Sequence, residues 1–100
     1  MKVLTAFQKL CLQELEHALS AMNRHLEARQ LGGTQETYLH ARVSSSPLEV
    51  WIYEDEAMFS GPGIDQRFER PDYDSPEALI SAFVQGLLKH IKAESSLGKS

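Results

Sequence analysis

The apolar positions near the start of the chain recur every three or four residues. Between residues 3 and 30 they are Leu4, Phe7, Cys11, Leu15, Leu19, Met22 and Leu26. This spacing places one apolar stripe along an α-helix. Gly32 and Gly33 follow, and glycine commonly ends a helix because it adopts positive φ at little cost. The sequence therefore predicts a first helix of about 27 residues, roughly 40 Å long, whose end overhangs a small sheet and can meet a partner.

A period of two begins at Thr37 and predicts two antiparallel strands joined by residues 44–47. One register gives every cross-strand pair a sensible chemistry. On one face the pairs are aliphatic: Val43 with Leu48, Ala41 with Val50, and Leu39 with Ile52. On the other face they are aromatic or charged: Arg42 with Glu49, His40 with Trp51, and Tyr38 with Tyr53. The two strands are therefore expected to form a hairpin with one aliphatic face.

The second strand is expected to continue to Phe59, with a bulge at residues 54–56. Gly61, Pro62 and Gly63 then predict a turn, since glycine and proline supply the backbone angles that turns require. Residues 64–69 alternate again and predict a third antiparallel strand, with Ile64 and Phe68 directed inward.

A second helix is predicted to begin at Ser75, Pro76 and Glu77, because Ser caps a helix, Pro suits its first position and acids suit its positive end. Its apolar face comprises Leu79, Ile80, Phe83, Val84, Leu87, Leu88 and Ile91. Residues 95–100 are expected to be a frayed tail. The prediction is a single α+β domain over residues 1–94: a two-layer αβββα fold with a three-stranded antiparallel meander packed on an N-terminal and a C-terminal helix.

Composition narrows the functional classes. A hundred residues with 42% apolar and 24% charged content fit one ordinary domain. The net charge of −4 makes nucleic acid an unfavourable partner, because phosphate binding needs clustered Lys and Arg. The lone Cys11 has no partner for an internal disulfide, which favours a reducing compartment. With neither a signal peptide nor a membrane span predicted, the expected location is the cytoplasm.

No residue pattern predicts a catalytic set, a metal site or a cofactor. Cys11 lies in the apolar stripe, and the four histidines do not show metal-ligand spacing. Acidic residues cluster at 54–56 and recur up to residue 74, but neighbouring strand residues point to opposite faces, so Glu54 and Asp55 can enter one site only if the strand bulges or ends there. These acids are interpreted mainly as a solvated edge that discourages aggregation.

The strongest candidate for function is the face opposite the aliphatic residues. It carries Tyr38, His40, Arg42, Glu49, Trp51 and Tyr53, with Arg67 as a possible addition. Trp, Tyr and Arg dominate the binding energy of protein interfaces. If both helices cover the aliphatic face, these side chains are left open to a partner. The alternative is that the aromatic pairs only stiffen an exposed sheet or are covered by a crossing segment.

The leading hypothesis is a non-enzymatic protein-interaction module, comparable to immunity proteins, antitoxins and accessory domains by general shape alone, that binds a protein partner and forms a homodimer. The alternative is a small-ligand-binding protein or minor enzyme, with His40 as a base and Arg42 as an anion anchor. A third possibility is an acidic protein that occupies a basic partner surface, based on the carboxylates between Glu54 and Glu77.

Overall fold

The structure, a computed structural model, describes residues 3–98. The chain forms one helix, then a five-stranded antiparallel meander, and then a second helix. The elements in chain order are α1 (Ala6–Ser20), β1 (Leu26–Gly32), β2 (Thr37–Val43), β3 (Glu49–Ile52), β4 (Glu56–Gly61), β5 (Ile64–Glu69) and α2 (Pro76–Gly98), with one turn of 3-10 helix at Arg70–Asp72 before α2. The α+β class is confirmed, but the sheet has two strands more than the three predicted.

The first extra strand, β1, comes from residues that were predicted to extend the first helix. That helix ends at Ser20, because Asn23 adopts a left-handed conformation with φ of 60°. The Arg24 N–H then donates back to the Leu19 carbonyl at 2.9 Å, which closes the helix end. Gly32, with φ of 122°, instead lies at the end of β1, where the chain turns into β2. The predicted 27-residue helix and its overhanging end were therefore wrong.

The second extra strand, β4, comes from the predicted continuation past residue 53. Instead of a bulge, residues 53–56 form a tight turn in which the Tyr53 N–H donates to the Glu56 carbonyl at 2.8 Å. The chain reverses, and Trp51 of β3 comes to lie opposite Met58 of β4. The predicted turn at residues 61–63 is confirmed and connects β4 to β5.

The predicted hairpin register is present. Leu39 lies opposite Ile52, His40 opposite Trp51, Ala41 opposite Val50, and Arg42 opposite Glu49. Where the ladder ends, the Val43 N–H donates to the Leu48 carbonyl at 3.5 Å. The alternation along β2 and β3 therefore sorts their side chains onto the two faces as predicted.

Both helices pack on one face of the sheet, here called the inner face. The helix residues Leu15, Leu87 and Phe83 and the strand residues Val50 and Ile52 are all fully buried in one core. Helix α1 lies against β3, and α2 lies against β4 and β5. The layer of helices leaves Ala28 of β1 exposed, and among residues 3–98 no helix packs on the opposite, outer face of the sheet.

Helix α2 begins as predicted. The Ser75 hydroxyl accepts the Ala78 N–H at 3.1 Å, and Pro76 occupies the first position. The helix extends to Gly98, so residues 95–98 of the predicted tail have a helical backbone, and residues 99–100 lie outside the described residues. Among residues 3–98, neither helix is both long and apolar enough to cross a membrane.

Candidate functional site on the outer sheet face

The six residues singled out in the sequence lie together on the outer face. They form the outer-face cluster: Tyr38, His40 and Arg42 on β2, Glu49 and Trp51 on β3, and Tyr53 directly after β3. Their neighbours in sequence, such as Val50 and Ile52, are fully buried against the helices. Because strand side chains alternate, burying the aliphatic residues directs the cluster outward.

Two ring pairs form the centre of the cluster. The imidazole of His40 stacks on the indole of Trp51, with centroids 5.2 Å apart and planes 28° from parallel. Beside them, the rings of Tyr38 and Tyr53 are 5.4 Å apart and tilted by 34°. Each ring is half-buried by its neighbours. Cross-strand contacts of this kind hold large side chains in fixed positions. Binding a partner therefore costs little additional side-chain conformational entropy.

One carboxylate joins the two basic groups of the cluster. Oε1 of Glu49 lies 3.1 Å from Nε2 of His40 and 3.7 Å from Nε of Arg42. The Arg42 side chain is still 71% exposed, so its ion pair with Glu49 is a solvent-screened contact of small energy. The guanidinium therefore remains accessible to a partner at the rim of the aromatic centre.

Met58 was not among the predicted surface residues, because the sequence did not reveal β4 as a separate strand. Met58 lies between Trp51 of β3 and Arg67 of β5. A guanidinium nitrogen of Arg67 is 4.0 Å from the Met58 sulfur, and the same side chain lies 4.0 Å from a Glu56 carboxylate oxygen. The detectable signal was the alternation of Ala57 and Phe59, both buried, with Met58. These additions extend the surface to the β5 edge.

The Tyr53 hydroxyl is held in its neutral form. Partial burial raises its pKa above the ordinary value of 10.0, and the neighbouring Tyr38 and Glu56 raise it further, while Arg67 lowers it. Tyr53 therefore presents a neutral hydroxyl beside the aromatic centre, which can donate one hydrogen bond.

The acidic residues 54–56 lie next to Tyr53 of the outer-face cluster, at the end of the sheet where α1 begins. Glu54, Asp55 and Glu56 share a surface depression of about 520 Å³ with Thr5 and Glu36. Thr5 is the cap of α1, so these carboxylates sit near a positive helix end. Within residues 3–98, no three His, Cys, Asp or Glu side chains are placed to hold a metal ion.

A depression of about 570 Å³ adjoins His40 and Arg42, the two residues of the ligand-binding alternative. Glu49, Glu27 and Arg29 also line it. Since Glu49 already contacts both basic groups, an anionic ligand there would have to displace a carboxylate. The depression is therefore better suited to mixed polar contacts than to holding one anion.

Cys11 is fully buried in α1, as its place in the apolar stripe predicted. Burial raises the pKa of its thiol from 9.0 to about 12. A thiol with this pKa holds almost no reactive thiolate near neutral pH, so Cys11 is a packing residue.

The raised pKa of the Cys11 thiol makes the free energy of unfolding depend on pH in the alkaline range. Above pH 9 an unfolded thiol loses its proton while the folded thiol keeps it up to about 12, so ionisation favours the unfolded chain. Between pH 8 and pH 10 the wild-type free energy of unfolding should fall by about 1 kcal/mol more than that of Cys11→Ala. Urea titrations at both pH values measure the difference, and equal pH dependence in the two proteins would contradict the assignment.

These features define the class of protein: a small two-layer α+β domain with one sheet face covered by helices and an aromatic, charged surface on the other. No family model, curated protein or solved structure matches the chain. Functional inference therefore depends on the chemistry of its own surface.

Proposed function

We propose that this protein is a non-enzymatic interaction module that binds a partner protein through the outer-face cluster. The observation that carries the proposal is the pair of cross-strand ring contacts, His40 with Trp51 and Tyr38 with Tyr53, on the face without helices. Aromatic side chains held in place on a rigid sheet provide large contact area at small entropic cost, which is the usual composition of a binding hot spot.

The groups around the rings support the same function. The side chains of Arg42, on β2, and Arg67, on β5, are 71% and 57% exposed. Met58 lies between Trp51 and Arg67 and adds an adaptable apolar surface. An apolar centre with charged residues at its edge is the common organisation of protein interfaces.

The alternative, a small-ligand site or minor enzyme at His40 and Arg42, has the neighbouring depression as its support. A general base at His40 would have to work while its Nε2 contacts Glu49 and its ring stacks on Trp51. Those contacts favour a positioning role for His40 within a protein-binding surface. The interaction module is therefore the better supported proposal.

The test is a comparison of partner binding by wild type and Trp51→Ala. Affinity capture from the cells of origin identifies proteins that the wild-type chain retains, and calorimetry on the purified pair gives the Kd. Removing a central hot-spot tryptophan should weaken the Kd by roughly 30-fold, because the loss of about 2 kcal/mol corresponds to that factor. Tyr53→Ala should weaken it in the same direction.

The matched control is Glu16→Ala, which changes an exposed residue of α1 on the helix side of the molecule. It should leave the Kd unchanged. Circular dichroism of each variant verifies the fold before binding is measured. A Kd for Trp51→Ala and Tyr53→Ala equal to that of wild type would reject the outer-face cluster as the binding surface.

A further inference from the structure

Strand β1 forms an open edge of the sheet in the part of the chain that the structure describes. Its residues from Glu27 to Gln30 are exposed on both faces, because the helices do not extend over them. Open edges normally carry devices against strand pairing, such as proline, a bulge or charged side chains, lysine above all. The segment 26–32 has neither Pro nor Lys, it pairs with β2 at every position from Leu26 to Gly32, and its two charges, Glu27 and Arg29, have opposite signs.

The direction of the backbone groups follows from one hydrogen bond. The carbonyl of His25 accepts the Ser44 N–H at 3.0 Å and so points toward β2. In an antiparallel ladder, each residue directs its N–H and its C=O to the same side of the strand, and successive residues alternate between the two sides. Glu27 and Arg29 therefore bond to β2, while the N–H and C=O of Ala28 point to the open edge.

We propose that two copies of this chain pair through β1, antiparallel, about a two-fold axis at Ala28. Each Ala28 then donates its N–H to the carbonyl of the other Ala28. Glu27 of each copy lies directly opposite Arg29 of the other, on the outer face. The dimer thus contains two opposite-charge cross-strand pairs, which stabilise an antiparallel pairing.

The charge pattern selects this register over its neighbours. A two-fold axis one residue earlier would place Glu27 opposite Glu27, and an axis one residue later would place Arg29 opposite Arg29. Both arrangements put like charges directly across from each other, which destabilises strand pairing. Only the axis at Ala28 brings the acidic position of one copy against the basic position of the other. The strand is therefore complementary to itself in charge.

Pairing at β1 uses a surface different from the outer-face cluster, so it is independent of the proposed function. Pairing at β1 joins two sheets into one ten-stranded sheet and places two outer-face clusters on the same side. The shared contact is one short strand from each copy, so we expect assembly to depend on protein concentration.

The test is the molecular mass in solution, measured by sedimentation equilibrium over a range of concentrations. Wild type should approach twice the 11.2 kDa of one chain as concentration rises. Glu27→Arg gives Arg opposite Arg, and Arg29→Glu gives Glu opposite Glu, so each variant alone should remain a monomer. An equimolar mixture of the two should form a dimer, because both cross-copy pairs again join opposite charges.

The mixture also separates loss of assembly from loss of folding. Glu27 lies opposite Arg42 within the same chain, so Glu27→Arg also puts two like charges within one molecule, and a monomeric mass alone does not separate lost assembly from lost folding. A misfolded variant would not regain a dimer on mixing. Ala28→Pro provides a second check: it removes the N–H at the axis without removing a bond to β2, and it should be a folded monomer by circular dichroism.

Three results with the wild type and the charge variants would overturn the proposal. They are a wild-type chain that stays monomeric at every concentration, single charge variants that dimerise as wild type does, and a mixture that stays monomeric. Trp51→Ala should dimerise normally, because Trp51 lies on β3 and not at the edge. Loss of the dimer in that variant would transfer self-association to the outer-face cluster and would also overturn pairing at β1.

Discussion

Phe59→Ala is expected to lower the free energy of unfolding by about 4 kcal/mol, the range for removing a large aromatic side chain from a packed core. Phe59 lies on β4 and is fully buried. Its ring centroid is 5.9 Å from that of Phe68, 6.2 Å from that of Phe83 and 5.5 Å from the imidazole of His90. It thus joins β4, β5 and α2. A cavity at this position removes contacts between the sheet and α2.

Chemical denaturation followed by circular dichroism measures the effect. The control is Met58→Ala, which shortens the preceding residue of the same strand on the outer face, where the side chain is half-buried. It should lower the free energy of unfolding by less than half as much, because solvent can occupy the space that the shortened side chain leaves on the outer face. Domains of this size are stable by about 5–15 kcal/mol, so Phe59→Ala removes a large share. Equal losses in both variants would contradict the assignment of the two faces.

The hairpin of β2 and β3 could be predicted from the sequence because two independent signals agree there. The alternation separates aliphatic from aromatic and charged residues, and one register gives every opposed pair a compatible chemistry. Both signals report which face is buried. The six residues of the outer-face cluster could be placed for the same reason, since knowing which residues are buried fixes the direction of their neighbours.

Strand β1 could not be predicted, because its composition favours a helix. Leu, Glu, Ala, Arg and Gln, the residues from 26 to 30, are all strong helix formers. Pairing with β2 overrides that preference along the whole strand. The signal for the break was Asn23, which takes the left-handed conformation at the helix end that was attributed to Gly32. Asparagine is a weaker stop signal than glycine.

Strand β4 was missed for a related reason. The turn between β3 and β4 is formed by Glu54 and Asp55, neither of which has positive φ. A turn without positive φ does not need Gly or Asn, so it leaves little trace in the sequence. Missing it concealed the position of Met58 beside Trp51. The aromatic residues of the cluster could thus be predicted from the β2–β3 hairpin alone. The residues around them depend on the pairing of β4 with β3 and β5, which the sequence did not reveal.

The buried side chain of Gln8 ties the start of α1 to the sheet. The side-chain Oε1 of Gln8 accepts the backbone N–H of Thr5 at 2.9 Å, and the backbone N–H of Gln8 donates to the Thr5 hydroxyl at 3.2 Å, which forms a capping box. The side-chain Nε2 of Gln8 donates to the Thr37 carbonyl at 2.8 Å and to the Ile52 carbonyl at 3.4 Å. One fully buried polar group therefore fixes the helix against β2 and β3.

Gln8→Leu should lower the free energy of unfolding by about 3 kcal/mol, combining an unsatisfied buried carbonyl at Thr37 with the loss of half the helix cap. Leucine has a similar size, so the loss reports hydrogen bonding and not a cavity. The control is Gln13→Leu, the same substitution at an exposed position of α1, which should change stability by less than about 0.5 kcal/mol. Urea titrations of the two variants measure the difference. Stability of Gln8→Leu equal to that of Gln13→Leu would show that apolar contact alone fixes α1 on the sheet.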